Sequence, residues 1–404
     1  MARNQEENLA EAPTNVGNDN SLGYSWLFIT QTEAGYFEIN RQKAPKVEPD
    51  ASVGLMGSMA EELTLVTGAT GFVGSHVVRQ LLRRGDRVRI LARNSSRKSN
   101  IEAFGCEIAI GDLKDSMSLL RCVQGCRRVY HVAADYRLWA KNPQDIYDNN
   151  VGGTRNLLST CCEAGVEKVV YTSTVGTIGI RRDGLPANED SPVKLDDMIG
   201  HYKRSKFMAE QVAREFATSG LPVVIVNPTT PVGAGDLKPT PTGRIILEFI
   251  KGRMPAYVET GLNLVGVEDV ARGHLLAEEK GHVGERYILG GENWSLEEIL
   301  DALARICGKH MPRFRIPWTL ALVAAYLDNF AMGSILRREP LIPLEGVRMA
   351  RYKMYISSEK ARKELGYDPQ PAEKALREAV EYFRYDWHPD SSQDRISNLR
   401  ANTI

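Results

Sequence analysis

No charge of either sign dominates this chain of 404 residues. Its 51 Lys and Arg are matched by 51 Asp and Glu, so the formal net charge is zero. Without a net field, nothing steers the chain onto nucleic acid, and a small-molecule substrate is the expected partner. Cysteine is scarce as well. The six thiols (Cys106, Cys122, Cys126, Cys161, Cys162 and Cys307) form no C-x-x-C pair, and no two histidines flank them at zinc spacing. That pattern excludes a disulfide scaffold, predicts no metal site, and suits a reducing compartment such as the cytoplasm. A secretory signal is lacking too, because Asn4 to Asn20 is polar and acidic with no apolar core. Long apolar runs are absent. The longest, Trp318 to Leu327, is about half of what a spanning helix needs, so no transmembrane segment is expected. Core packing is the expectation for that run, and contact with a lipid-like substrate the alternative.

What is present begins in earnest at Leu63. Residues 1–60 form an N-terminal extension expected to be disordered or to reflect a misplaced start, with Met56 or Met59 as the true one. Leu63–Thr67 is a β-branched apolar run that ends at a glycine. The helix Val73–Arg84 follows, with Val77, Val78, Leu81 and Leu82 on one face. Further strands are predicted over Arg87–Ala92, Cys106–Ile110, Arg128–Val132, Lys168–Thr172 and Val223–Val226, with helices over Ser116–Val123, after Gln144, and over Tyr202–Thr218. Strands alternating with helices predict an α/β fold: a doubly wound parallel sheet of Rossmann type. The expected Rossmann domain covers 61–235. A smaller C-terminal α/β substrate cap, partly interleaved with the sheet, covers 236–388, and a polar tail covers 389–404. In the cap, Ser295 is the expected N-cap of a helix to Cys307, with Glu298 as its capping-box partner.

The turn after the first strand reads Thr67-Gly68-Ala69-Thr70-Gly71-Phe72-Val73-Gly74. Gly68 allows the tight turn, Gly71 lets backbone approach a pyrophosphate, and Gly74 lets the helix pack close to the sheet. The helix N-terminus supplies free N–H groups and partial positive charge. A glycine pattern is weak by itself, but here it follows a strand and opens a helix, the context a dinucleotide requires. At the end of the second strand stands Arg93, with Arg97 and Lys98 close behind. A cation there favours the 2′-phosphate of NADP(H), while NAD(H) stays open. Asp112, after the third strand, is placed to meet the adenine side.

Tyr202 and Lys206 lie four residues apart on one helix and so share a face. An ammonium near a phenol favours the phenolate, so Lys206 is expected to lower the pKa of Tyr202. The tyrosine could then move a proton to or from a substrate oxygen as hydride moves at carbon. Ser173 and Thr174, at the end of the fifth strand, are the two candidates for a hydroxyl partner. His131 is expected to be packed and neutral. Tyr136 and Trp139 could stack on a sugar or flat ring, or serve as ordinary packing.

With these pieces in place, the chain resembles an extended short-chain dehydrogenase/reductase of the NAD-dependent epimerase/dehydratase and dihydroflavonol-reductase kind, from about Leu63 to Phe383. The matching pieces are the glycine turn, Gly111-Asp112-Leu113, His131-Val132-Ala133-Ala134, Asn150-Val151-x-Gly153-Thr154, Thr172-Ser173-Thr174 and Tyr202-x-x-x-Lys206. The stretch from His131 through Gly235 is also similar to the hopanoid-associated sugar epimerase family. The resemblance implies that Ala133 and Ala134 line the cofactor and that Thr174 works with Tyr202. It also implies that Lys206 holds the nicotinamide ribose and that Thr70, Phe72, Val73, Leu113, Asn150 and Pro228 belong to the cofactor site. A homodimer through a two-helix face is a candidate assembly.

Three activities compete. Carbonyl reduction, or alcohol oxidation, is the first. Epimerisation of a sugar or nucleotide-sugar through a keto intermediate is the second. A non-catalytic NADP-binding regulator is the third, and the presence of both Tyr202 and Lys206 speaks against it. Similar 4,6-dehydratases carry Asp-Glu directly after the strand-five hydroxyl, where this chain has Val175-Gly176. Many nucleotide-sugar members carry Arg-x-Phe-Asn where this chain has Asn227-Pro228-Thr229-Thr230. Both departures favour the dihydroflavonol-reductase-like reading.

Overall fold

The computed structural model describes residues 62–96, 104–181, 183, 185–336 and 338–387, with the side chain at 334 left aside. The N-terminal extension, the polar tail, Arg97 and Lys98 lie outside the described residues. Chain order sets twelve strands. The first six are β1 (Leu63–Thr67), β2 (Arg87–Ala92), β3 (Glu107–Ile110), β4 (Cys126–His131), β5 (Lys168–Thr172) and β6 (Val223–Pro228). Short strands β7 (Thr230–Val232), β8 (Ala256–Val258) and β9 (Gly261–Gly266) precede β10 (Arg286–Leu289), β11 (Glu292–Ser295) and β12 (Phe314–Ile316). The helices are α1 (Phe72–Arg84), α2 (Ser116–Val123), α3 (Gln144–Tyr147), α4 (Gly153–Glu163), α5 (Gly200–Thr218) and α6 (Pro241–Ile250). They continue with α7 (Val267–Lys280), α8 (Leu296–Cys307), α9 (Trp318–Asp328), α10 (Leu344–Met349), α11 (Glu359–Leu365) and α12 (Ala372–Glu381).

Seven strands form one parallel sheet in the order β10-β6-β5-β4-β1-β2-β3. The sequence explains the burial. β1 (LTLVT) and β6 (VVIVNP) are apolar or β-branched at nearly every position, and every residue in them is buried, as strands covered on both faces must be. One face packs Val77, Val78 and Leu81 of α1 against Leu275 of α7 and Tyr287 of β10. The other packs Leu119, Leu157, Leu158, Ala209 and Val212 from α2, α4 and α5. The strand order reverses between β1 and β4. In a doubly wound sheet that switch point, at the carboxyl ends of the strands, is where a ligand crevice opens.

The sheet continues beyond Pro228. β10 returns from within the region read as the cap and pairs with β6 from Arg286↔Ile225 to Leu289↔Pro228. α7 returns with it and lies beside α1. The remaining strands build a three-stranded sheet, β11-β9-β7, and a two-stranded one, β12-β8. Over these lies a third core, in which Ile246, Leu300, Leu303, Leu376 and Phe383 join α6, α8 and α12. The capping box of α8 is present: the Glu298 N–H donates to Ser295 Oγ at 3.1 Å, and Ser295 N–H donates to Glu298 Oε2 at 2.7 Å. Each closes an otherwise orphaned helix-end group.

One expectation fails here. The apolar run from Trp318 is a helix, but only Ala321 and Ala325 of α9 are buried. Leu320, Val323, Tyr326 and Leu327 are exposed, while Trp318 and Leu322 are half-buried. No described helix is long and apolar enough to cross a membrane.

Candidate active site

The glycine turn has the geometry its residues allow. Gly68 sits at φ +71, a left-handed conformation, and a Cβ there would meet the Ala133 backbone N at 2.6 Å. Only glycine accepts both the torsion and the contact. At Gly74 a Cβ would lie 2.1 Å from the Gly68 carbonyl oxygen, so α1 can start this close to the turn only without a side chain. At Gly71 the nearest atom is the Gly68 carbonyl oxygen at 3.2 Å, and nothing else comes within 4 Å. Gly71 is the N-cap of α1, no side chain caps that helix, and its first turn holds no acidic residue. Phe72 and Val73 open it. The result is a helix N-terminus whose donors and dipole are free of any competing carboxylate, a seat suited to a phosphate.

Around this turn the structure gathers most of the other positions singled out. Ala133 donates its N–H to Thr67 Oγ1 at 3.2 Å, which fixes it and Ala134 beside the turn. His131 bonds Thr67 Oγ1 at 2.8 Å and Thr154 Oγ1 at 3.1 Å, and full burial pushes its pKa down to about 3. It is therefore a neutral packing residue. Arg93 is exposed at the end of β2, one strand over from the turn, with its N–H on Ser96 Oγ at 3.2 Å. Asp112 keeps one carboxylate oxygen on the Lys114 N–H at 2.9 Å. Leu113 crowds the start of α4, lying 2.9 Å from where a Cβ on Gly153 would stand. Pro228 is buried at the end of β6. Asn150 is more of a clamp than a contact surface. Its Oδ1 accepts from Asp135 N at 2.7 Å, and its Nδ2 donates to Asp135 O and to Ser205 Oγ, both at 2.9 Å. It ties the loop after β4 to α5.

α5 carries the second half of the site. Lys206 is almost fully buried. Its ammonium donates to Tyr171 Oη at 2.9 Å and to the Thr172 carbonyl at 2.8 Å. Desolvation pushes its pKa down to about 7, with Glu210 pulling the other way. Tyr202, partly buried one turn earlier, is raised above the usual phenol value by desolvation, and a hydrogen bond from Thr174 opposes that rise. The expected lowering of Tyr202 by Lys206 is not found. The Lys206 ammonium is turned to Tyr171 and Thr172, and desolvation dominates at the Tyr202 phenol.

The two hydroxyl candidates part company. Thr174 lies beside Tyr202. Ser173 turns away, into a buried network centred on Glu210. Glu210 Oε2 accepts from Ser173 Oγ at 2.5 Å, Thr177 Oγ1 at 2.7 Å and Asn227 Nδ2 at 3.0 Å, while Oε1 meets Arg286 at 3.3 Å. Sequence reasoning missed this network. The signal was available, because 202, 206 and 210 are successive i+4 positions on one helical face. Asn227 is fully buried, and its Nδ2 also donates to the Thr174 carbonyl at 3.0 Å.

The surrounding wall brings in further groups. Tyr136, pushed up to about 12 mainly by burial, feels both Asp236 and Tyr202. Asp236 is buried, with Oδ2 accepting from Thr240 N and Oγ1, each at 2.8 Å, and with no partner on Oδ1. Burial raises its carboxyl to about 6. His201 begins α5, takes a 3.1 Å hydrogen bond with Tyr147 and donates its N–H to Glu345 at 3.3 Å. Next to the tyrosine, Lys203 is pushed down to about 8 by burial, against the attraction of Glu345. Among the described residues no cluster of His, Cys, Asp and Glu could hold a metal.

Comparison with known proteins follows the same outline. Residues 64–290 match the NAD dependent epimerase/dehydratase family. A protein of Synechocystis sp., provisionally named dihydroflavonol 4-reductase, is 46% identical over 323 residues, covering 79% of this chain and 94% of its own length. The sterol demethylase protein B of Methylococcus capsulatus is 38% identical over 322 residues, covering 80% of this chain and 98% of its own. Among solved structures, that of gox2253 is 48% identical with a TM-score of 0.72, covering 80% of this chain and 98% of that one.

Proposed function

The chain belongs to the NAD dependent epimerase/dehydratase family, and within it we propose a carbonyl reductase, or alcohol dehydrogenase in the reverse direction, that prefers NADP(H). The observation that carries the choice of reaction is the environment of Asn227. In nucleotide-sugar relatives an arginine is expected at this position. Here an amide is sealed in the sheet, with its nitrogen spent on Thr174, Thr177 and Glu210. Three residues on, Thr230 stands where those relatives carry the asparagine that helps hold a sugar-diphosphate. The name of the Synechocystis relative, a reductase, agrees with this reading, and that of the Methylococcus relative points to polycyclic, lipid-like substrates.

The residues fit a bound dinucleotide. Gly68, Thr70, Gly71, Phe72, Val73 and Gly74 would take the pyrophosphate, because the N-cap of α1 is free of side-chain competitors and Gly71 leaves room for it. Arg93 would meet a 2′-phosphate, Asp112 and Leu113 the adenine side, and Ala133, Ala134 and Pro228 the rest of the crevice. When bound, the nicotinamide supplies or accepts hydride. Tyr202 passes its phenolic proton to the oxygen of the substrate carbonyl. Thr174 holds that oxygen with its hydroxyl and, through its bond to Tyr202, eases the charge left on the phenol. Lys206, anchored by Tyr171 and Thr172, holds the ribose and fixes the face of α5 on which Tyr202 sits. Ser173, in this reading, positions the strand end through Glu210 and does not touch the substrate.

The test is mass spectrometry of nucleotide released on denaturation, followed by turnover of ketones with NADPH. An empty protein that binds NADPH reversibly and oxidises it with a ketone supports the reductase. Stoichiometric tightly held NAD, with no exchange during turnover, would instead establish an epimerase. Tyr202→Phe should lower kcat by about a hundredfold to ten-thousandfold, the usual worth of a positioned acid, with NADPH affinity unchanged. Retained turnover in that variant would sink the assignment of Tyr202.

A further inference from the structure

α9 is apolar on nearly every side, yet only two of its residues are fully buried. Ala321 and Ala325 are buried, while Leu320, Val323 and Leu327 are 58%, 55% and 66% exposed. The wider helical turns Asn329–Ile335 that continue it add Phe330 at 64% and Ile335 at 65%. A helix that is apolar all round ordinarily lies inside a core or in lipid, and a contiguous exposed apolar patch of this kind marks a docking surface.

Charge frames the patch. Residues 312–353 hold seven Lys and Arg against three Asp and Glu, in a chain whose net charge is zero, and two of the seven, Arg315 and Lys353, pair with Glu259. Two of the cations are fixed at its rim. Arg348 stands over the Tyr326 ring at 5.4 Å and donates to its hydroxyl at 2.6 Å. Arg351 stands over the Trp318 ring at 5.3 Å. Arg338 is exposed just beyond the helical turns. Apolar side chains in the middle, aromatic rings with polar tips, and guanidinium groups at the edge make an arrangement suited to a headgroup layer. A second copy of the chain fits less well. A two-fold contact would bring this net-positive segment against itself.

We propose that α9 and the turns after it, rimmed by Arg338, Arg348 and Arg351, seat the protein on the headgroup surface of an anionic lipid bilayer. The patch adjoins the candidate site. Trp139, from the loop after β4, lies 3.6 Å from where a Cβ on Gly333 would stand, and Glu345 of α10 accepts from the His201 N–H beside Tyr202. Docking on this face therefore brings the bilayer beside the loop that carries Trp139, next to the site, whichever reaction the site performs.

Vesicle flotation of the full-length chain tests this. Vesicles of phosphatidylcholine alone are compared with vesicles that also contain phosphatidylglycerol. The wild-type protein should float with the anionic vesicles about tenfold more than with the neutral ones, and high salt should release it. Leu327→Glu combined with Phe330→Glu should abolish flotation while leaving the melting temperature and NADPH binding unchanged. Arg348→Gln combined with Arg351→Gln, which keeps the apolar surface, should remove the preference for anionic lipid. Failure of the wild type to float, equal flotation on neutral vesicles, or undiminished flotation of the Glu variant would each overturn the proposal. Conversion of a dimer to a monomer by the Glu variant, seen by light scattering and without vesicle binding, would overturn it in favour of a contact between copies.

Discussion

Replacing Lys206 with methionine should make the cofactor-free protein more stable at pH 7 while removing its activity. Burial pushes Lys206 from the ordinary 10.5 down to about 7. The unfolded chain therefore holds the proton more tightly than the folded one. Stability then rises with pH across the window from about 7 to 10.5, by up to about 1.4 kcal/mol per pH unit from this group. At pH 7 the linkage works out at about 4 kcal/mol of stability forgone. Methionine keeps most of the aliphatic stem and has no charge to bury. Against the gain stands the loss of a donor to Tyr171 Oη and to the Thr172 carbonyl, costing roughly 1–3 kcal/mol. The net expectation is a stabilisation of about 1–3 kcal/mol at pH 7 that vanishes or reverses near pH 10. Urea unfolding of wild type and variant at several pH values measures it, and the difference between the two curves cancels the titrating groups that do not interact with Lys206, leaving those coupled to it, such as Glu210 and His131. Parallel curves would mean that Lys206 holds an ordinary pKa in the folded chain and would refute the argument. A stabilised but inactive variant would show a lysine kept at a thermodynamic loss, as residues at working sites often are.

Three further outcomes follow from the geometry. Arg93→Asp should weaken NADPH binding by about ten- to a hundredfold, the worth of a charge-assisted hydrogen bond, and shift preference toward NADH; fluorescence titration reads it, and an unchanged ratio would place the 2′-phosphate elsewhere. Gly74→Ala puts a methyl 2.1 Å from the Gly68 carbonyl oxygen, so α1 must move off the turn; a stability loss of about 1–3 kcal/mol and a clear loss of dinucleotide affinity are expected by calorimetry. Asp236 is raised from 3.8 to about 6 by burial, so the stability it contributes is full below the unfolded value and lost as pH rises through 6. Asp236→Asn should then be more stable than wild type at pH 8 by up to about 3 kcal/mol and level with it near pH 4, and a variant that is weaker at both values would contradict this sign.

How much of this was legible beforehand depended on whether the information was local. β1, its glycine turn and α1 could be read directly, because a fully buried strand must be a run of Leu, Thr and Val and only glycine fits at Gly68 and Gly74. Tyr202 and Lys206 were legible from helical spacing, and Glu210 was legible in the same way but carried no motif to draw attention to it. The choice between Ser173 and Thr174 was not available from residue spacing, and only the family resemblance pointed to Thr174. Adjacent residues at the end of a strand point to opposite sides, and which side is the crevice depends on α5, which delivers Glu210 to one hydroxyl and Tyr202 to the other. The pKa of Tyr202 went astray for a related reason. Spacing puts an ammonium on the same helical face but does not say that it will be turned to Tyr171 and Thr172, or that burial will dominate at the phenol. β10 escaped because its pairing with β6 is set by distant contacts that no local pattern encodes.

The run from Trp318 is the sharpest case. Hydrophobicity identifies side chains that lose free energy in water, but it does not identify what covers them. A sequence reading assigns such a run to the core because the core is the usual cover. In this chain the third core closes around α6, α8 and α12, and α9 packs instead beside α10, burying only Ala321 and Ala325 fully. The arginines that stack on Tyr326 and Trp318 come from α10 and the residue pair just after it, so the cationic rim forms only once those segments fold back beside α9. An apolar stripe whose edge is assembled from another helix has the organisation of a surface made to meet something amphipathic, and it lies next to the loop that carries Trp139.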